Sequence, residues 1–134
     1  MGDVNWIAVT AAGLSAMVLG GLWYSPLLFL KAWQAGAGIS DEQMKTKMGH
    51  PAIVYGGSTL ISIAAAFVFS MFLGKSPSLE LGLGAGFSAG LFWVAGSFAI
   101  NYLFESKPLK LFLVNGGYHT VQFTLYGLIL SLLG

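Results

Sequence analysis

The chain has 134 residues, of which 56% are hydrophobic and only 8% are charged, and its net charge is +1. A soluble domain carries about 25% charged residues. The charged residues here are too few to cover a surface that faces water, so the composition indicates an integral membrane protein. All six basic residues are lysines and they form no basic patch, which argues against nucleic-acid binding. The absence of cysteine excludes disulfides, thiolate chemistry and cysteine-ligated metals.

Four apolar stretches are each long enough to cross a bilayer, which takes about 20 helical residues. They cover residues 4–29, 51–73, 79–104 and 109–133. Pro51, Pro77 and Pro108 lie at or just before the starts of the last three stretches, where a missing N–H costs nothing, and Pro26 is expected to bend or end the first stretch. Because short loops place neighbouring spans antiparallel, the sequence predicts one all-α domain, residues 1–134, with four transmembrane helices in an antiparallel bundle.

The lysines predict the orientation of these spans, because loops rich in lysine stay on the cytoplasmic side. Five of the six lysines lie in or beside the first and third loops, and only Lys75 lies in the second. The five are Lys31, Lys45, Lys47, Lys107 and Lys110. The first and third loops are therefore expected to be cytoplasmic, with both termini on the outer side.

The first loop contains a capping-box sequence, Ser40 to Gln43, in which each of these two side chains can satisfy the other's backbone amide. A short interfacial helix is expected from Asp41 to Met48, with Met44 and Met48 turned toward lipid or the bundle. The alternative interpretation is a solvated connector without a membrane contact.

Gly82, Gly86 and Gly90 repeat every four residues along the third stretch. Such a ladder lets helix backbones approach closely within a membrane. Since four spans make a thin bundle, we expect this glycine face to serve a homo-oligomer, most simply a dimer. The other predicted partner is the lipid bilayer itself.

Asn115, His119, Gln122 and Tyr126 form one polar stripe on the fourth predicted helix, because they follow each other at helical spacing. Lipid offers no hydrogen-bond partner, so the stripe must face protein or water. His119 lies near the middle of its span, and Asn115 lies one turn nearer the lysine-rich side. Gln122 and Tyr126 lie toward the outer side, where the other spans offer them few polar partners.

Other polar and aromatic residues fall in the same lysine-rich half of their spans as Asn115. These are Trp23, Tyr24, Tyr55, Asn101 and Glu105. Together with Asn115 and His119 they predict a cleft that opens to the cytoplasm, with His119 at its floor and Glu105 near its mouth. The cleft would hold a small amphiphile or lipid-like ligand.

Each of these residues also has a structural interpretation. His119 and the two asparagines are residues that commonly form interhelical hydrogen bonds, worth about 0.6 kcal/mol each in membranes. Glu105 and Lys107 suit an interfacial ion pair or snorkelling anchors. Trp23 and Tyr24 suit the aromatic belt at a span end.

Enzyme and metal signatures are absent from the sequence. There is no HExxH or GxSxG motif, and the two histidines are too few for a histidine-rich metal site. No cofactor, metal or catalytic residue is therefore predicted, and an enzyme is the least favoured hypothesis, since Glu105 and His119 lie too far apart for one acid–base pair. The alternative to ligand binding is a homo-oligomeric transporter or channel in which His119 carries a proton.

Several segments resemble a bacterial family called domain of unknown function 1761. They are Val4-Asn5-Trp6, the segment from Leu22 to Phe29 followed by Lys31-Ala32-Trp33, the segment from Asn101 to Glu105 with Lys107 to Lys110, and Asn115 to His119. The resemblance covers essentially the whole chain and implies a small multi-pass protein of the bacterial inner membrane, with no assigned activity. It also supports treating Trp23, Tyr24, Pro26, Asn101, Glu105, Asn115 and His119 as one constellation.

Overall fold

The computed structural model describes residues 4–47 and 49–134, and all regular elements in these residues are helical, which confirms the all-α class. The elements are α1 (Trp6–Trp23), α2 (Leu30–Ala37), α3 (Asp41–Lys47), α4 (Pro51–Leu73), α5 (Leu79–Ser88), a π-helical segment (Ala89–Ala95), α6 (Gly96–Glu105) and α7 (Leu109–Leu133). The end of the molecule at which the first and third loops lie is called the lysine-rich end below.

Three helices are long and apolar enough to cross a membrane, and they span Trp6–Trp23, Pro51–Leu73 and Leu79–Glu105. The last of these is the continuous run of α5, the π-helical segment and α6. The helix α7 has 25 residues, but its polar stripe lowers its mean hydropathy, and it is not among the three. The chain thus has the helices of a membrane protein.

The first predicted stretch ends earlier than expected, at Trp23. The chain then turns through Pro26, and the Phe29 amide donates back to the Trp23 carbonyl at 3.0 Å. The bend expected at Pro26 is confirmed. The helix α2, which was not predicted, follows the turn and packs against α7, with Gly36 directly on Leu111.

The predicted capping box in the first loop is confirmed. The Gln43 amide donates to Ser40 Oγ at 3.2 Å, and the Ser40 amide donates to Gln43 Oε1 at 2.9 Å. The helix α3 begins where predicted. Its Met44 accepts a hydrogen bond from Gln34 of α2, whereas Met48 lies outside the described residues. Its location at a membrane interface stays a prediction.

The helix α7 lies at the centre of the fold, since it contacts α1, α2, α5 and the π-helical segment. Its packing with α5 is close enough that a Cβ on Gly86 or Gly90 would overlap the backbone of α7 at Phe123 or His119. The same holds for Gly82 against Gly127. Residue numbers fall along α7 as they rise along α5, so these two helices run in opposite directions.

The glycine ladder is therefore used within the chain. A second copy was expected on this face, whereas in the structure α7 covers it. Gly82, Gly86 and Gly90 pack closely against α7. A dimer through some other face stays a prediction.

Candidate functional site

The outer half of the polar stripe on α7 is a buried hydrogen-bond chain. Tyr126 is fully buried and donates to the backbone carbonyl of Ser62 on α4 at 2.9 Å. Gln122, which is 6% exposed, donates through Nε2 to the Tyr126 hydroxyl at 2.8 Å. The expectation that Gln122 and Tyr126 have few partners was wrong, because a main-chain carbonyl supplies the acceptor.

His119 continues this chain toward the lysine-rich end. Its Nδ1 lies 2.5 Å from Gln122 Oε1. One face of the imidazole stacks on Phe98 of α6, with ring centroids 5.1 Å apart, and Tyr118 contacts it edge-on at 4.8 Å. The ring is half-buried, so it is held on one edge and one face while part of it is open.

Asn115 lies one turn nearer the lysine-rich end than His119, and its side chain hydrogen-bonds to two other segments. The Tyr24 hydroxyl donates to Asn115 Oδ1 at 2.6 Å, and Asn115 Nδ2 donates to the Tyr102 hydroxyl at 2.8 Å. Tyr24 follows α1 directly and Tyr102 belongs to α6, so the Asn115 side chain links α7 to the end of α1 and to α6. Tyr24 and Asn115 were predicted site residues, whereas Tyr102 was not.

Two further hydrogen bonds fix the end of α1 against α7. Trp23 Nε1 donates to the Val114 carbonyl at 2.9 Å, and the Tyr118 hydroxyl donates to the Ala16 carbonyl at 2.8 Å. The indole also packs on Gly117, where a Cβ would lie 3.0 Å from it. Trp23 thus hydrogen-bonds to the backbone beside Asn115 and holds the end of α1 against α7.

Three of the selected residues lie outside this cluster. Asn101, Glu105 and Tyr55 are all exposed, and the structure does not bring them to Asn115 or His119. For Asn101 and Glu105 the reason is the π-helical segment.

An unbroken α-helix would continue the face of Gly90 to Asn101 and Glu105. The π-helical segment, in which each turn takes up one more residue, shifts that face by about one position. Ala95, Phe98 and Tyr102 consequently reach α7 in their place.

The helix α4 covers only part of the stripe. Its buried residues are Ser62, Ala66 and Phe69, which lie from its midpoint onward. Nearer the lysine-rich end, Tyr55 and Ser58 share the face of Ser62, and both are exposed. The stripe is therefore covered by α4 at Tyr126 and open beyond Gln122.

Two other concave regions lie away from the stripe. A pocket of about 510 Å³ at the end opposite the lysine-rich one is lined by residues that include Asn5, Lys75 and Gly134. A groove of about 300 Å³ beside Trp23 is lined almost wholly by apolar atoms of the π-helical segment and α7. Neither region is lined by Asn115 or His119.

The chemistry available at the stripe is hydrogen bonding. Within residues 4–47 and 49–134, no group of three or more His, Asp or Glu side chains is placed to hold a metal ion. The same residues contain no buried side-chain nitrogen or oxygen that lacks a hydrogen-bond partner. The stripe is thus a satisfied network with one open end.

Comparison with known proteins identifies the family of this chain. A search of curated proteins and a search of solved structures both find no match. A family model described as protein of unknown function (DUF1761) matches residues 7–131. The resemblance noted in the sequence is therefore confirmed, and the chain belongs to this family.

Proposed function

We propose that this protein binds a small amphiphile in an intramembrane cleft between α4 and α6, at the lysine-rich end. In this proposal α7 crosses the membrane as a fourth span, because its polar stripe is satisfied by the other helices. The cleft faces the cytoplasm, since five of the six lysines lie at its end. Asn115 and His119 form its floor.

The observation that carries the proposal is the change in burial along one face of α7. Tyr126 and Gln122 are buried and Tyr126 hydrogen-bonds to α4, whereas His119 and Asn115 are only half-buried. The helix α4 continues toward the lysine-rich end without burying the face of Ser62, because Tyr55 and Ser58 on that face are exposed. A polar floor below an uncovered space is the arrangement expected of a ligand site.

The walls of this space suit the proposed ligand. Phe98 and Tyr102 contact each other on α6, with ring centroids 5.6 Å apart. Tyr55 on α4 is 57% exposed and shares the face of Ser62, seven residues on. Aromatic walls with a few fixed polar groups bind molecules that combine an apolar body with a polar head.

A channel along the stripe of a single chain is less well supported. The path would have to pass Gln122 and Tyr126, which are buried and hydrogen-bonded to each other and to α4. Because the half of the stripe at Gln122 and Tyr126 is closed, the stripe is open only at the end of Asn115 and His119. A one-sided cleft therefore fits the observations better than a continuous pore.

The test uses a substitution that fills the cleft. Ser58 is exposed and lies one turn before Ser62 on the same face of α4, so Ser58→Trp places an indole in the space. Leu60, which is 71% exposed, lies on the opposite face of α4, and Leu60→Trp is the matched control. The probe is a long-chain alcohol that carries a photoactivatable diazirine, and labelled peptides are mapped by mass spectrometry.

In the unsubstituted protein, labelling should concentrate on the segments 98–102 and 115–119. Ser58→Trp should remove this labelling, and Leu60→Trp should leave it unchanged. Labelling spread evenly over all lipid-facing helices, or equal in both variants, would contradict the proposal.

A further inference from the structure

The hydrogen-bond chain along α7 has a fixed direction. It ends at the Ser62 carbonyl, which accepts hydrogen bonds and donates none. The Tyr126 hydroxyl must therefore use its one hydrogen on that carbonyl. Its oxygen then accepts a hydrogen bond from the Gln122 side chain, 2.8 Å away.

This direction fixes how the Gln122 amide is oriented. Its NH₂ group must face Tyr126, because the tyrosine hydrogen is already used and two oxygens facing each other would repel. Gln122 Oε1 consequently faces His119 Nδ1. Turning the amide round would leave two oxygens facing each other without a hydrogen between them, either those of Tyr126 and Ser62 or those of Tyr126 and Gln122.

The same chain determines where the neutral imidazole carries its proton. Gln122 Oε1 is an acceptor, so His119 holds its hydrogen on Nδ1, and Nε2 carries a free lone pair. No described residue donates to Nε2. Since no unpartnered side-chain nitrogen in the described residues is buried, Nε2 is open to the surroundings of the ring.

Tyr102, which also contacts Phe98, carries a second unused group. The Tyr102 oxygen accepts a hydrogen bond from Asn115 Nδ2. Its own hydrogen has no acceptor among the described residues. The rings of Tyr102 and His119 both contact Phe98, with centroids 5.6 Å and 5.1 Å from it, so this region offers an unused donor as well as an unused acceptor.

We propose that the ligand of this cleft is an amphiphile whose head group is a hydroxyl, which donates its hydrogen to His119 Nε2. This proposal rests on the proposed function and specifies its ligand class. A carboxylate has no hydrogen to offer Nε2. An ammonium group would enter an apolar region without a counter-charge, since Glu105 is exposed at the far end of α6.

The first experiment measures the tautomer directly, by nitrogen NMR of the ¹⁵N-histidine-labelled protein in phosphatidylcholine nanodiscs. His50 is an internal standard, because its Nδ1 accepts a hydrogen bond from the Ala52 amide at 3.1 Å and its proton must lie on Nε2. The two histidines should therefore show opposite tautomers. A proton on Nε2 of His119, alone or together with one on Nδ1, would overturn the inference.

The second experiment measures binding of 4-dodecylphenol and of its methyl ether, which has the same body but no hydroxyl hydrogen. The phenol should shift the Nε2 resonance of His119 and bind about tenfold more tightly than the ether, as one additional hydrogen bond implies. Tyr126→Phe removes a link of the chain without touching the cleft. It should reduce the preference for the phenol and let the Gln122 amide turn.

The outcomes separate the two proposals. Equal binding of phenol and ether, weakened equally by Ser58→Trp, would retain the cleft and refute the hydroxyl head group. Binding that Ser58→Trp leaves unchanged would refute the cleft itself. Preferential binding of the phenol that is lost in Ser58→Trp supports both.

Discussion

Gly86→Ala provides the sharpest test of the packing that places α7 at the centre of the molecule. A methyl group at this position would lie 2.9 Å from the Phe123 carbonyl carbon, 3.1 Å from Thr124 Cα and closer still to the Phe123 carbonyl oxygen. These are backbone atoms of α7, so no side-chain rotation relieves the overlap. The two helices must separate instead.

The size of the effect follows from that separation. Carbon atoms pack at about 3.5 Å or more, so the carbonyl carbon alone requires a shift of about 0.6 Å, from 2.9 to 3.5 Å. A gap of roughly 0.5–1 Å removes a quarter to a half of each dispersion contact along the interface. We expect the free energy of unfolding to fall by about 1–3 kcal/mol, the usual cost of overpacking.

The matched control is Gly84→Ala, on the same helix, where a methyl group would meet no atom within 4 Å. This substitution should be neutral or stabilising by up to about 1 kcal/mol, because alanine favours a helix over glycine. Both variants are measured by denaturant titration in mixed micelles. Equal stabilities of the Gly84 and Gly86 variants would refute the close approach of α5 and α7.

Three other substitutions or fusions test separate features. Asn115→Leu removes the hydrogen bonds to Tyr24 and Tyr102 and should lower the free energy of unfolding by about 1 kcal/mol; an unchanged melting temperature would contradict their contribution. Gly38→Ala should cost about 1–2 kcal/mol, because this residue ends α2 at φ +71°, whereas Gly21→Ala, with open space around it, should cost nothing in the same thermal melt. A reporter fused to the C-terminus should be active if it functions only outside the cytoplasm, and activity of a strictly cytoplasmic reporter would reverse the proposed orientation.

The sequence predicted the long helices well, because apolar length and proline position carry most of that information. The helix α4 begins at Pro51 and ends at Leu73, and α7 covers the residues expected of the fourth stretch. The start of α2 was hidden, since its residues continue the apolar composition of α1 across the turn at Pro26. Composition alone does not separate a long span from a span followed by a short packed helix.

The site was predicted in part, and the errors have a physical cause. Tyr24 and Asn115 meet as expected, because both are polar groups at one depth in neighbouring helices. The partner of Tyr126 is a main-chain carbonyl, which every residue has and no sequence pattern marks. A count of polar side chains in the sequence therefore underestimates the hydrogen-bond partners available to a buried polar group.

The role of Tyr102 was missed for a different reason. Helical periodicity assigns Asn101 to the packed face, and the structure places its neighbour there because the π-helical segment intervenes. The sequence from Ala89 to Ala95 contains only small and apolar residues and a glycine, which fit an α-helix equally well. The register beyond it was thus unpredictable from spacing.

The π-helical segment also determines which residues of α6 face α7. It holds one residue in excess of a regular helix, so deleting any single residue between Ala89 and Ala95 would restore ordinary winding without breaking the helix. The outer face would turn inward, and Asn101 would replace Tyr102 opposite Asn115. A one-codon change could therefore exchange the phenol at this site for an amide, which alters the hydrogen-bonding groups offered to a ligand while leaving the span intact.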